Sequence, residues 1–178
     1  MVAPKLWPAV LFLFLLGNRG LAQQVSRAEV FGGYSYFRIN PASGEGANFN
    51  GWNAAFQGNV NSYFSLVADF SGAYQNDEAS VNIHSFLGGP RITKRLGKTS
   101  PFAHALFGAA RAEASAFGVG VSETKFAMAL GGGVDLEVTK RTSVRLVQAD
   151  YVMTRFADQT QNNIRLSFGI VLHLGSLR

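Results

Sequence analysis

Residues 164–174 read I-R-L-S-F-G-I-V-L-H-L. Ile164, Leu166, Phe168, Ile170, Leu172 and Leu174 alternate with Arg165, Ser167, Gly169, Val171 and His173. A period of two belongs to a strand, whose successive side chains point to opposite faces. One face of this strand is large and apolar throughout; the other is mostly small or polar. In a soluble sandwich such an apolar face looks inward, whereas in a membrane barrel it looks outward into hydrocarbon. The facing of this strand therefore decides the fold.

Upstream, turn residues recur at short intervals and divide the chain into seven more extended segments: about 28–39, 49–59, 62–74, 80–93, 101–114, 124–138 and 143–154. The clearest is 124–138, with Phe126, Met128, Leu130, Val134, Leu136 and Val138 on one parity and Lys125, Gly131, Gly133, Asp135 and Glu137 on the other. Segment 101–114 is Ala-rich, and the succession Phe102, His104, Leu106, Phe107, Ala109 suggests a bulge or phase change near Leu106. Segment 143–154 reads either way; the preferred facing puts Val147, Ala149, Tyr151 and Met153 outward and keeps Gln148 and Asp150 off the lipid face. Pro90 falls near the end of its segment, where a missing ladder donor is tolerated.

The connections alternate in character. Those after segments two, four and six are short and partly basic; those after one, three, five and seven, including 40–48, 75–79, 115–123 and 155–162, are longer and polar. An even number of strands joined by alternating short turns and long loops is the pattern of an outer-membrane barrel. Segments of this length also suffice, since a tilted strand crosses a bilayer in about 9–11 residues.

Composition narrows the class. Charged residues make up 15% of the chain, well below the ~25% usual in soluble domains. With no cysteine there is neither a disulfide framework nor a thiolate metal site. The net charge of +5 comes without a basic cluster interleaved with aromatics, which argues against nucleic acid as a partner. Residues 1–22 read as a cleaved signal peptide: Lys5, an apolar run from Ala9 to Leu16, then Gly20-Leu21-Ala22 before a cut at Gln23. That apolar run is too short for a spanning helix, which needs about 20 residues. Residues 23–178 then form one barrel domain.

A soluble barrel would carry a strongly charged wet face. Here the second face has few charges, and the candidate interior ion-pair network is Asp69, Lys125, Asp135, Glu137 and Arg165, with Arg111, Glu113, Arg145 and Asp150 as further members. Buried charges must pair, so Asp135 or Glu137 is expected to meet Lys125 or Arg165. Tyr34, Tyr36, Trp52, Tyr63, Tyr74, Phe102, Tyr151 and Phe156 are expected in interfacial girdles.

With V-F-G-G-Y-S-Y-F-R at 30–38, the loop asymmetry, and S-F-G-I-V-L-H-L at 167–174, the chain resembles the OmpA/OmpX-like outer-membrane β-barrel family over its whole mature length. The resemblance implies an all-β fold, an eight-stranded antiparallel up-and-down transmembrane β-barrel located in the outer membrane. It also implies outer-membrane lipid and the barrel-assembly machinery as partners. Ser167, Gly169, Leu172 and Leu174 fit the family's assembly signal, although the strand ends at Leu174 and not in the terminal aromatic usual there.

Chemistry is sparse. His84 is expected near mid-membrane and His104 and His173 toward the periplasmic side, with no His, Ser and acid converging at the external rim as a lipid A-modifying enzyme would need. No H-x-H or H-x-x-x-H spacing occurs, and the Gly131–Gly133 run lacks the Lys-Ser/Thr of a phosphate loop. The expectation is a non-enzymatic barrel without cofactor or metal, serving envelope structure, surface interaction through external loops or minor pore activity. The alternatives are a lipid A-modifying enzyme and a soluble, exported, lipocalin-like barrel whose apolar face lines an internal cavity.

Overall fold

The computed structural model describes residues 25–39, 46–76, 80–116, 119–156 and 159–177. The signal-peptide segment lies outside them. Eight strands follow in chain order: β1 (Ala28–Ile39), β2 (Ala47–Asn59), β3 (Phe64–Asn76), β4 (Ser80–Thr93), β5 (Thr99–Ala116), β6 (Val119–Thr139), β7 (Thr142–Phe156) and β8 (Gln159–Leu174). Each pairs antiparallel with its sequence neighbour, and β1 pairs with β8 from Ala28↔Leu174 to Arg38↔Ile164, closing the barrel. Closure leaves no unpaired sheet edge, the condition for a sheet to sit in hydrocarbon.

Alternation fixes what each face carries. On β8, Ile164, Leu166, Phe168, Ile170, Leu172 and Leu174 are all exposed on the outer surface, while Arg165, Ser167 and Val171 are almost fully buried inside. The same division runs around the barrel: Phe56, Leu66, Phe70, Phe86, Phe107, Phe126 and Leu130 are outside. Arg38, Arg111 and Glu113 are charged side chains on the outer strand faces, all toward the end away from the termini. Water does not stably wet an apolar surface of this extent; hydrocarbon does. This arrangement inverts the lipocalin-like alternative.

Three expectations are corrected. Segment 101–114 has no phase change: β5 pairs with β6 without interruption from Thr99↔Leu136 to Ala116↔Val119. Phe102, His104 and Leu106 point inward and Phe107 points outward, because this stretch is apolar on both faces. Phe102 is consequently a lumen residue and not part of a girdle. The irregularity sits on β7, where the register slips between Arg145 and Gln148 and both Leu146 and Val147 face out. That bulge brings Arg145 and Gln148 to the same inner face. Finally, much of the stretch expected as loop at 115–123 and 155–162 is strand, since β5 runs to Ala116, β6 starts at Val119, β7 runs to Phe156 and β8 starts at Gln159.

Pro90 behaves as its chemistry demands. The β4–β5 ladder runs to Gly88↔Phe107 and resumes at Arg91↔His104, so the residue without an N–H interrupts the pairing locally without shifting its register.

A charge at the middle of the outer belt should be costly. Leu166→Arg is expected to lower stability in bilayers by ~2–4 kcal/mol, read as a shift of the urea midpoint at unchanged slope. Loss of less than about 0.5 kcal/mol, the range of ordinary surface substitutions, would place Leu166 in water.

Candidate functional site: a charge network across the lumen

The narrow interior of an eight-stranded barrel is filled by side chains, and here the filling is ionic at its centre. Arg165 on β8 is the hub. Its Nη1 donates to Asp69 on β3 at 2.8 Å and to Ser71 at 3.2 Å. Its Nε and Nη2 donate to Asp150 Oδ2 on β7 at 2.9 and 2.7 Å. Asp69 also accepts from Asn53 on β2 at 2.9 Å, and Asp150 from Gln148 at 2.8 Å.

The network continues toward the end that holds the termini. Gln148 Oε1 accepts from Arg145 at 2.6 Å, a contact that the β7 bulge makes possible. Arg145 donates to both oxygens of Asp135 on β6, at 2.7 and 3.1 Å. Arg91 on β4 donates to Asp135 at 2.8 Å. The two guanidiniums also stack on aromatics: Arg91 lies 3.5 Å from the centre of the Phe102 ring and Arg145 4.2 Å from that of Phe31, an arrangement that suits the weakly hydrated arginine cation. With His104 on β5, strands β2 to β8 each contribute a hydrogen-bonded member, and β1 contributes the Phe31 ring.

His104 on β5 joins by reaching across β6 to Asp150, Nε2 to Oδ1 2.7 Å. The space comes from Gly131, the register partner of both His104 and Asp150. A Cβ built on Gly131 would lie 2.2 Å from Asp150 Oδ1, and one on Gly133 2.8 Å from the Phe102 ring. The Gly131–Gly133 run thus makes room for a side-chain contact, in keeping with glycine's role where groups approach closely.

Three arginines and three aspartates balance in this core, and their side chains are no more than 6% exposed. Buried charges in such a space are tolerable because nearly every donor meets a carboxylate or an amide.

Of the five residues singled out by sequence, Asp69, Asp135 and Arg165 are buried in this network. Lys125 is instead at the far end of β6, partly exposed, with Glu123 at 2.9 Å. Glu137 lies at the opposite mouth, beside Lys140 and Arg95. The pairing of Asp135 with Lys125 or Arg165 is corrected: its partners are Arg91 and Arg145, which reach it from the same level of the barrel. Arg111 and Glu113 pair with each other at 2.8 Å in a largely exposed position. Arg91 was missed, although its alternation with Leu87 and Thr93 on one parity could have suggested an inward position.

The histidines separate. His84 lies on the outer face toward the far end of β4, with its Nε2 3.2 Å from Tyr74 Oη in a cluster that includes Trp52. At the terminal mouth, Ser143 Oγ is 2.7 Å from His173 Nε2, and His173 Nδ1 is 3.6 Å from Glu29. Glu29 is bound more closely by Ser26 at 2.9 Å and Asn59 at 3.0 Å. This cluster of Ser143, His173 and Glu29 lies at the mouth that holds the termini. The four assembly-signal residues divide by face: Ser167 points inward to Ser35 at 3.2 Å and Gly169 is also inward, while Leu172 and Leu174 point outward.

Removing the hub should expose the energetics. Arg165→Met leaves Asp69 and Asp150 buried without their main counter-charge, and the expected loss is ~3–5 kcal/mol. Adding Asp69→Asn and Asp150→Asn to that variant should recover most of it. Equal urea midpoints for wild type and Arg165→Met would contradict the assignment.

No protein-family model matches the chain, and no curated protein matches it. Solved structures do. Neisserial surface protein A is similar with a TM-score of 0.74 at 13% identity, over 84% of this chain and 98% of that one. Ail, the attachment invasion locus protein of Yersinia pestis, is similar with a TM-score of 0.60 at 18% identity, over 83% and 99%. OprG, an outer membrane protein from Pseudomonas aeruginosa, gives 0.58 at 7% identity, over 86% and 98%. At these identities the likeness concerns architecture: the chain has the fold of the small eight-stranded outer-membrane β-barrels.

Proposed function

We propose that the chain is an exported, integral outer-membrane barrel, non-enzymatic, that serves envelope structure and surface interaction. The observation that carries this reading is the pairing of a charge-free apolar belt outside with a charge-balanced ionic core inside. The belt suits lipid, and the core fills the cross-section. A lumen spanned by Arg165, Asp69, Asp150, Arg145, Asp135 and Arg91 favours a plug over a wide aqueous path, so any pore activity is minor.

Export fits the signal-like residues 1–22, and insertion fits Ser167, Gly169, Leu172 and Leu174 on the closing strand as the address read by the barrel-assembly machinery. The connections at the terminal end, 60–63, 94–98 and 140–141, are the periplasmic turns in this reading. The strand ends away from the termini, Ile39, Asn76, Ala116 and Phe156 among them, then lie on the external side. Two proteins similar in fold are named as a surface protein and an attachment invasion locus protein, which supports a surface role at the level of architecture.

Two measurements test this. Unboiled outer-membrane fractions should give a band that migrates differently from boiled sample, as a barrel that stays closed in detergent does. An epitope inserted at residues 40–46 should bind antibody on intact cells, whereas one at 140–141 should bind only after permeabilisation. Recovery in a soluble exported fraction, or the reverse epitope pattern, would overturn the assignment.

A further inference from the structure

Beyond Arg165, in the half of the lumen away from the termini, lies a second feature. A cavity of about 300 Å³ opens there between β1, β3, β4, β5, β6, β7 and β8. Its wall is mostly apolar: Phe37, Ala73, Val81, Ile83, Ala110 and Val152. The cavity exists because Ala73 and Ala110 stand where larger side chains would fill the cross-section.

The polar groups that border it are already engaged. Ser71 and Ser85 share a hydrogen bond at 2.6 Å, Asn163 donates to Thr154 at 3.2 Å, and Glu123 on β6 pairs with Lys125 at 2.9 Å. Arg165 forms part of the lining, with donors directed to Asp69, Asp150 and Ser71. A water molecule needs two to four polar partners to be held in a cavity, and apolar cavities stay dry and accept apolar guests. A cavity of roughly 150 Å³ admits benzene, so twice that volume matches a bicyclic aromatic or a ten-carbon chain. A carboxylate or phosphate would have to displace Asp69 or Asp150 from Arg165. A single hydroxyl could join the Ser71–Ser85 pair at little cost.

We infer that this half of the lumen is a binding site for small, uncharged, mostly apolar molecules about the size of a bicyclic aromatic, carrying at most one hydroxyl. The ionic core beneath closes the site, which makes it a blind pocket and not a passage. The inference needs only the closed barrel; it does not depend on the envelope role proposed above.

The test uses the protein in nanodiscs with isotope-labelled Ile, Leu and Val methyl groups, and 2-naphthol as the probe. Methyl signals of Val81, Ile83 and Val152 should shift along a saturable curve. Those of Ile170 and Leu172, on the lipid face, should shift in proportion to probe concentration, because they report partition into lipid only. Ala110→Phe fills the cavity and should abolish the saturable component while the band still shifts on boiling. Ala73→Leu provides a second filling variant if the first does not fold. 2-Naphthoate, with the same rings and a negative charge, should bind at least ten-fold more weakly. Proportional shifts at the inner methyls, saturable shifts that survive both filling variants, or equal binding of 2-naphthoate would each overturn the inference.

Discussion

Arg165 sits between Asp69 and Asp150, 2.8 Å from one carboxylate and 2.7 Å from the other. That contact expresses the constraint on which the rest of the structure depends. A sheet that turns its apolar face outward must put its remaining side chains into a lumen only a few side chains wide. Charges placed there have no bulk water, so each must find an opposite charge or a strong hydrogen-bond partner. The Asp135 carboxylate shared by Arg91 and Arg145, the reach of His104 over Gly131, and the β7 bulge that turns Arg145 and Gln148 the same way all satisfy that requirement.

The network also ties distant strands together. Strand pairing alone joins each strand to two neighbours, whereas Arg165 on β8 reaches Asp69 on β3 across the lumen. Contacts across the interior oppose flattening of the barrel and fix the relative register of non-adjacent strands. The outer leucines and phenylalanines impose no such discrimination, since hydrocarbon accepts them in any arrangement.

The parts legible in the sequence were those governed by one period and one face. On β8 and β6, apolar and polar parities were clean, and the facing followed. The same alternation marked Asp69, Asp135, Asp150 and Arg165 as inward residues. Less was legible where the lumen itself is apolar. Phe102, Leu106, Val81, Ile83 and Leu87 look like lipid-facing residues by composition, yet they fill the interior because the ionic core occupies only part of its length. Pairing partners were not legible either, since register and shear decide which level of the barrel each residue occupies, and Asp135 meets arginines from β4 and β7 that no sequence spacing links to it. The ends of β5 and β6 were set short because small and polar residues there resemble a loop, while the ladder continues through Glu113↔Ser122 to Ala116↔Val119.

The central claim is the facing of residues 164–174, and it can be measured residue by residue. The chain has no cysteine, so single cysteines at positions 164 to 172 can each carry a spin label in a bilayer. The expected result is a period of two in relaxation by dissolved oxygen, which concentrates in hydrocarbon, with maxima at 164, 166, 168, 170 and 172 and no matching access for a water-soluble nickel chelate. Maxima in nickel access at those same positions, or no periodicity at all, would contradict an outward, lipid-facing strand and the barrel built on it.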